Sequence, residues 1–388
     1  MRESYINRFD ILIKNLMMHR IILVMFFFLL IILSLCSCQK KPSVTIYAEP
    51  SDNDIGEQLI HEERYQDALD YYNKMLDGAI KTYGENSSAA AEINNSIGEI
   101  YIYKRNRENA LEYLNKSIFI NKKLKDELGL ASNYVQMAKI SIYISGEADA
   151  GLIYLEKAEK IYKKYSWENR LAMAGVLSNK GRLYKNEGDF EKALDCYKKA
   201  LDIYHKNDQD DAMIYILMGQ IYMQKKEYQK AEIRFNNAND IILSENDDYL
   251  MGKLKLVMGL MYDNKGEYDK ALGEYDKALK VFEADEQYKS DRALVYNNIG
   301  YVYMEDKNLE KALYNLIIAC QIVENISPTT NEVEEDKRDY KQNLRMCYQG
   351  LTGDKAEENF EEWYHDKISD GIEGMDNSQD TLNMAPVD

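Results

Sequence analysis

The chain has 388 residues, of which 45% are hydrophobic and only 4 are proline, so apolar surface is ample and helices meet few breaks. Its 66 Asp and Glu residues outnumber its 49 Lys and Arg residues, for a formal net charge of -17. That balance disfavours nucleic-acid binding, which needs a basic surface. The 4 histidines and 5 cysteines are scattered without the spacing of metal ligands or of a disulfide framework, which argues against both.

An apolar run at residues 21–35 dominates the N-terminus. The run is short for a bilayer crossing and suits the apolar region of a secretory signal. The tetrapeptide at residues 35–38 ends in Ser37 and Cys38. It resembles a bacterial lipobox, in which the signal is cut before a cysteine that then receives lipid. The alternative is an uncleaved membrane anchor.

The lipobox resemblance implies a signal peptide at 1–37, with Met17 or Met18 as the true start, followed by a lipid-anchored linker at 38–48. Cys38 would be the lipidated residue. The resemblance also implies a place in the bacterial cell envelope facing the periplasm, with the outer membrane favoured over the inner. An uncleaved anchor would likewise hold the rest of the chain outside the cytoplasm at a membrane surface.

A pattern of small and large residues recurs about every 40 residues over 49–326. The same frame fits around Gly56, Gly98, Gly219, Gly259 and Gly300, and a degenerate copy before Gly181 has one extra residue ahead of its turn. A fixed period of this kind predicts stacked helical hairpins. The clearest copy comprises Gly181, Tyr184, Gly188, Phe190, Ala193, Tyr197 and Ala200.

The small residues predict how each hairpin packs. Ala193 and its equivalents are expected where two antiparallel helices cross, because a larger side chain would hold their axes apart. Gly181 serves the same close approach on the first helix, at a helix-propensity cost of ~1 kcal/mol. Tyr184 and Tyr197 are expected to fill the space between neighbouring hairpins, so that each repeat buries its apolar face against the next.

This pattern resembles the tetratricopeptide repeat over residues 50–326. The chain departs from that family in two ways: its units are longer than the family's minimal unit of about 34 residues, and no proline lies between Pro50 and Pro328. The resemblance implies an all-α fold, an α-solenoid of about seven helix-turn-helix repeats.

The solenoid is expected to end at a break beginning at Ser327 and Pro328, because the residue before a proline is pushed out of the helical region. Residues 327–368 then predict an atypical, degenerate helical hairpin that caps the open end, as solenoids require. Residues 369–388 are acidic and polar, which predicts a disordered tail.

In tetratricopeptide proteins the first helix of each hairpin lines a concave groove, and this resemblance assigns a binding surface to the chain. Apolar and amide side chains at these positions favour capture of a peptide or protein. The alternative is that tight superhelical winding or the C-terminal hairpin buries them. The assigned groove residues are Asn179, Arg182, Lys185, Met213, Ile216, Gln220, Met223, Leu256, Leu260, Asn297, Asn298, Tyr301 and Met304.

These features together predict a membrane-tethered scaffold or adaptor that binds a protein or peptide in its groove outside the cytoplasm. The alternative is a sensory or regulatory repeat domain that binds a signalling peptide or partner. No nucleotide-binding glycine loop, HExxH sequence or serine nucleophile elbow is present in the sequence, so neither an enzyme nor a cofactor or metal is expected.

Overall fold

The computed structural model describes residues 50–61, 64–165, 170–207, 209–326, 331–352 and 359–369. Within these ranges the chain forms 16 α-helices and no strand. The apolar run at 21–35, Cys38 and the acidic tail lie outside them.

The helices follow one another as antiparallel pairs, seven hairpins and a final pair. They are α1 Pro50–His61 with α2 Tyr65–Tyr83, α3 Ser88–Tyr103 with α4 Arg107–Leu124, α5 Glu127–Ile140 with α6 Ala148–Lys164, α7 Arg170–Asn186 with α8 Phe190–His205, α9 Ala212–Gln224 with α10 Tyr228–Glu245, α11 Asp248–Asn264 with α12 Tyr268–Phe282, α13 Lys289–Glu305 with α14 Leu309–Glu324, and α15 Asn331–Thr352 with α16 Phe360–Ser369.

Packing follows chain order. In the six hairpins from α3 to α14 the two helices pack on each other, and from α2 to α15 the second helix of each hairpin packs on the first helix of the next. Such nearest-neighbour contacts are those of a solenoid. The predicted all-α solenoid of seven hairpins with a C-terminal capping pair is therefore confirmed.

Polar residues in the loops define where helices begin. The side chains of Ser87, Asn106, Asp189 and Asp247 each accept a hydrogen bond from a backbone N–H in the first turn of the following helix. These bonds satisfy donors that have no partner within the helix. At the turn inside a hairpin, Gly188 has a φ of 78°, a left-handed conformation that favours glycine.

Each repeated glycine lies directly beneath a large side chain 16 residues later in its own hairpin. A Cβ atom on Gly181 would lie 2.5 Å from Cε1 of Tyr197, and one on Gly219 would lie 2.3 Å from Cε1 of Phe235. The same relation joins Gly259 to Tyr275. The contact is within a hairpin, whereas the sequence predicted that Tyr197 fills the space between hairpins.

The repeated alanines are fully buried, as the sequence predicted. Ala193, Ala231, Ala271 and Ala312 are each 0% exposed. Buried apolar residues from Ala174 to Val302 form one continuous cluster that extends through four successive hairpins. Without a bulky Cβ substituent at these positions, the helices approach closely enough to exclude solvent.

The degenerate third hairpin contains a π-helical turn at Ser141–Ser145. A π-helical turn accommodates one additional residue in a helix, which accounts for the extra residue seen in this copy. Ala138, 0% exposed, occupies the place of the repeated glycine, and Leu155, also 0% exposed, is its large counterpart. The insertion thus preserves the register of the hairpin core.

A network of buried amide and hydroxyl groups lies where α3, α4 and α5 meet. Asn133, 0% exposed, accepts from Asn121 Nδ2 at 2.8 Å and donates to Asn95 Oδ1 at 2.7 Å and to Ser117 Oγ at 2.9 Å. Ser117 in turn donates to the Ala91 carbonyl at 2.6 Å. The sequence pattern gave no indication of this network, because its members are far apart in the chain.

Four tyrosines on first helices each lie under a lysine eight residues later, on the following second helix. The ammonium group lies 5.3 to 5.6 Å from the ring centroid in the pairs Tyr184 with Lys192, Tyr222 with Lys230, Tyr262 with Lys270, and Tyr303 with Lys311. At these distances each ammonium group is attracted to the ring face beneath it, and the contact joins the two helices at the turn of the hairpin. The spacing was visible in the sequence, but its role was not predicted.

The final pair, α15 and α16, covers the last repeat. Gln321 Nε2 donates to the Lys367 carbonyl at 3.0 Å, and the hydroxyl of Tyr364 donates to Glu324 Oε1 at 3.0 Å, so α16 is held on α14. The rings of Tyr348 and Trp363 lie 4.4 Å apart between α15 and α16. These contacts bury apolar surface that an uncapped solenoid would expose.

Candidate binding groove

The predicted groove residues lie on four successive first helices, α7, α9, α11 and α13. They occupy the same face in each helix, because equivalent positions relative to the repeated glycine recur from one hairpin to the next. Contacts between α7 and α9, α9 and α11, and α11 and α13 bring these faces side by side. The structure therefore brings the predicted residues onto adjacent helices, and we call the part of this face that stays accessible the groove.

Two of the predicted residues belong to the core and not to an open surface. Ile216 is 3% exposed and Leu256 is 5% exposed, and both pack in the large apolar cluster. The expectation that they present free apolar surface is corrected. Neighbouring first helices pack so closely that side chains at this position are covered, which corresponds to the burial alternative.

The asparagines are also more constrained than predicted. Asn179 is 8% exposed and donates from Nδ2 to the Gly175 carbonyl of its own helix at 3.0 Å. Asn297 is 8% exposed and accepts from Asn343 of α15 at 3.0 Å, so the C-terminal pair covers it. The Nδ2 atom of Asn298 is buried and has no hydrogen-bond partner among the described residues.

One end of the groove is cationic. Arg182 and Lys185 lie three residues apart on α7, and Lys185 Nζ donates to Gln220 Oε1 of α9 at 2.7 Å. Burial, together with the positive charge of Arg182, lowers the pKa of Lys185 to about 8. This end of the groove would favour a negatively charged group, which would relieve the repulsion between the two cations.

The middle of the groove is apolar and only partly covered. Met213, Met223 and Leu260 are half-buried and pack on the large apolar cluster. Met304 is half-buried in the cluster formed with the C-terminal pair. Tyr301, at 41% exposed, is the most open of the predicted residues. Flexible methionines beside an exposed aromatic ring form a surface that adapts to apolar side chains.

Neither a metal-binding cluster nor an exposed cysteine lies in the parts of the chain that the structure describes. No group of three or more His, Cys, Asp or Glu residues there is placed to hold a metal ion. Cys196, Cys320 and Cys347 are free and buried, and burial raises the pKa of the Cys320 and Cys347 thiols to about 12. That the protein is not an enzyme remains a prediction.

No helix within the described ranges combines the length and apolar content needed to cross a membrane. The predicted lipidation site, Cys38, is outside those ranges.

Comparison with protein-family models identifies part of the repeats. A tetratricopeptide repeat model matches residues 47–123, and a second tetratricopeptide repeat model matches residues 174–207. These segments are tetratricopeptide repeats. They cover the first two hairpins and the fourth, and the intervening hairpin is the degenerate one with the π-helical turn. A search of curated proteins gave no match.

Solved structures share the tetratricopeptide fold at low sequence identity. A Rap protein complexed with Competence and Sporulation Factor is 15% identical, with a TM-score of 0.55 over 74% of this chain and 74% of that chain. Aspartyl phosphate phosphatase F from Bacillus subtilis is 16% identical, with a TM-score of 0.52 over 71% of this chain and 70% of that chain. These structural similarities extend over most of the described repeats and show a shared fold.

Proposed function

We propose that the protein is a membrane-tethered tetratricopeptide adaptor that binds a peptide segment of a partner protein in the groove outside the cytoplasm. The observation that carries the proposal is the partly open apolar strip of Met223, Leu260 and Tyr301 on adjacent first helices, flanked by charged groups. An extended peptide would cover this strip and meet the charged groups at its ends.

Tethering is proposed from the N-terminal sequence. Cys38, at the end of the lipobox-like tetrapeptide, would carry the lipid, and the repeats would face the periplasm. Stable anchoring needs more than one acyl chain, because a single chain binds a membrane only marginally. The outer membrane is favoured over the inner.

The second candidate is a sensory or regulatory repeat domain. It is supported by the Rap protein that shares this fold, which was crystallised in complex with Competence and Sporulation Factor. In that case the ligand would change the arrangement of the hairpins on binding, whereas an adaptor would hold its partner with little rearrangement.

Site-specific photocrosslinking in intact cells tests the groove. A benzophenone amino acid would replace Met223 in the groove or, as the control, Ile233, which is 54% exposed on the second helix of the same hairpin. We expect a defined adduct from position 223 and none from position 233. Equal adducts at both positions, or none at either, would contradict a binding groove.

A Cys38→Ala form tests the tether independently. We expect it to lose metabolic labelling by an alkyne fatty acid and to keep the uncut signal segment, seen as a heavier chain by mass spectrometry, while its repeats keep the same thermal unfolding. Unchanged labelling and an unchanged chain mass, apart from the substitution, would contradict lipidation at Cys38 and favour the uncleaved anchor.

A further inference from the structure

A row of exposed lysines follows the C-terminal ends of the second helices in the first four hairpins. Each lysine comes nine residues after the large core residue of its hairpin. Because the hairpins stack in chain order with one period, equivalent positions recur on the same side of the solenoid. We call these four lysines the basic edge: Lys81, Lys123, Lys164 and Lys206, which follow Tyr72, Leu114, Leu155 and Tyr197.

The row ends after the fourth hairpin. The equivalent positions on α10, α12 and α14 hold Ser244, Ala284 and Asn325. The helix dipole favours a cation in the last turn of a helix, but α10 and α14 have no basic residue there, so the fold does not require one. The basic edge is therefore a property of the first four hairpins, in a chain whose net charge is -17.

The ammonium groups of the basic edge are available to an external partner. Lys81 and Lys123 are exposed and form no ion pair within the ranges that the structure describes. The other two lysines pair with Glu127 and Asp202 at 2.6 Å, and every side chain in these pairs is at least 40% exposed. Exposed pairs contribute little to stability, so an anionic surface can replace these carboxylates.

Apolar side chains are exposed beside these lysines. Phe119 on α4 is 63% exposed, the most open large apolar residue in the described part of the chain. Lys116, Lys122 and Lys123 lie three or four residues from it, on the same side of the helix. The ends of α2, α4 and α6 add three residues that are 36% to 48% exposed: Tyr83, Leu124 and Tyr165. Water-exposed apolar groups among lysines are typical of surfaces that bind anionic membranes.

We infer that the basic edge, together with Phe119, binds the surface of an anionic phospholipid membrane. The four ammonium groups would meet lipid phosphates, and the Phe119 ring would enter the headgroup region. This surface goes beyond the proposed peptide groove and does not depend on it. The basic edge belongs to second helices, whereas the groove belongs to first helices, so docking on a membrane would leave the groove accessible to a partner.

The proposed tether would strengthen this docking. Cys38 precedes Pro50, the first residue of α1, by 12 residues. An extended segment of that length spans at most about 40 Å, so a lipid on Cys38 would keep the start of the first hairpin within that distance of the bilayer. A second attachment on an already tethered chain acts at high effective concentration, so that a modest electrostatic attraction suffices.

Photocrosslinking to lipid tests the basic edge. The purified full chain, with a benzophenone amino acid in place of Phe119, would be reconstituted from detergent with vesicles of phosphatidylcholine, alone or with an equal part of phosphatidylglycerol. The same amino acid at Ile233, which is 54% exposed on α10 where the row is absent, is the positional control. We expect lipid adducts from position 119 only, in the anionic vesicles only, and their loss at high salt, which screens the attraction.

Charge variants test the lysines themselves. Lys81→Gln/Lys123→Gln/Lys164→Gln/Lys206→Gln should lower the adduct yield at position 119 by about fivefold or more. The control variant has the same net charge and should keep the wild-type yield. It replaces, also by glutamine, four exposed lysines on the second helices of later hairpins: Lys230, Lys277, Lys280 and Lys311. Thermal unfolding of both variants, expected to match the wild type because the replaced side chains are exposed, separates binding from folding.

Absence of adducts at position 119 in anionic vesicles, equal yields in neutral and anionic vesicles, or equal yields in the two charge variants would each overturn the inference. Flotation with the vesicles separates the basic edge from the tether. A chain that floats with neutral vesicles but gives no adduct keeps its N-terminal attachment and refutes the edge. A chain that floats only with anionic vesicles, and is released by the edge substitutions, keeps the edge and refutes the tether. Flotation with neither refutes both.

Discussion

Gly181 and Tyr197 form one packing unit: the tyrosine ring occupies the space that the glycine leaves open on the facing helix. The same 16-residue relation recurs in Gly219 with Phe235 and in Gly300 with Leu316. A helical glycine normally costs about 1 kcal/mol relative to alanine. At these positions the side chain of the fully buried partner occupies the space where a Cβ atom would lie, so only glycine fits.

Replacing a packing glycine should therefore destabilise the fold, although alanine is the better helix former. In Gly219→Ala the new methyl group would lie 2.3 Å from the Phe235 ring, and we expect a net loss of ~1 to 2 kcal/mol in the free energy of unfolding. Gly273→Ala is the matched control. It lies inside α12 with nothing within 4 Å of its Cβ position and should stabilise by ~0.5–1 kcal/mol. Urea unfolding measures both, and a stabilising Gly219→Ala would contradict this packing.

Buried and open groove positions should respond differently to truncation. Leu256→Ala removes a core side chain and should lower the free energy of unfolding by ~2 to 4 kcal/mol. Leu260→Ala, one turn later on the same helix and half-buried, should cost ~1 kcal/mol. Denaturant unfolding checks stability, and partner crosslinking from position 223 checks binding. Equal costs for the two variants would show that both leucines belong to the core.

The amide network should depend on Asn133. Asn133→Ala would remove three hydrogen bonds, one accepted from Asn121 and two donated to Asn95 and Ser117, with an expected cost of ~2 to 3 kcal/mol in the free energy of unfolding. Asn264→Ala, which removes an exposed bond to the Leu260 carbonyl, should cost less than ~0.5 kcal/mol. Hydrogen exchange should rise in α3 to α5 of the first variant only. Unchanged protection of the amides of α3 to α5 from hydrogen exchange would show that the network contributes little to stability.

The lowered pKa of Lys185 predicts a pH-dependent cost to stability. The unfolded chain holds this proton up to its ordinary pKa near 10.4, and the folded chain releases it near 8, so the cost is full below pH 8 and vanishes as the pH rises from about 8 to about 10. Lys185→Met should therefore be more stable than the wild type by ~1 to 2 kcal/mol at pH 7, after allowance for partial exposure. Urea unfolding at several pH values should show this advantage disappear by pH 10.

Lys198→Met is the control, since Lys198 is exposed on α8. Its difference from the wild type, followed over the same pH range, measures the effect of replacing a surface lysine by methionine. A constant difference for Lys185→Met would show that the amine of Lys185 keeps its ordinary proton affinity in the fold.

Much of the fold was predictable because its decisive contacts are local. The repeated residues Gly181, Ala193 and Tyr197 lie within 16 residues of one another, and each hairpin packs on the next in chain order. The contact of Tyr197 with Gly181 inside the hairpin was not predicted. The extra residue in the degenerate copy is likewise visible in the sequence, and the π-helical turn accommodates it. Tetratricopeptide repeats at 47–123 and 174–207 confirm that part of the prediction.

The sequence by itself thus determined the hairpin period and the small residues at the helix crossings. Only the tertiary structure decided that Leu256 is core while Leu260 is half-buried, and that Asn343 of the C-terminal pair covers Asn297. The physical reason is distance along the chain. Helix periodicity identifies the face on which a side chain lies, but its burial and its charged neighbours depend on how closely successive first helices approach, which is set by packing between hairpins.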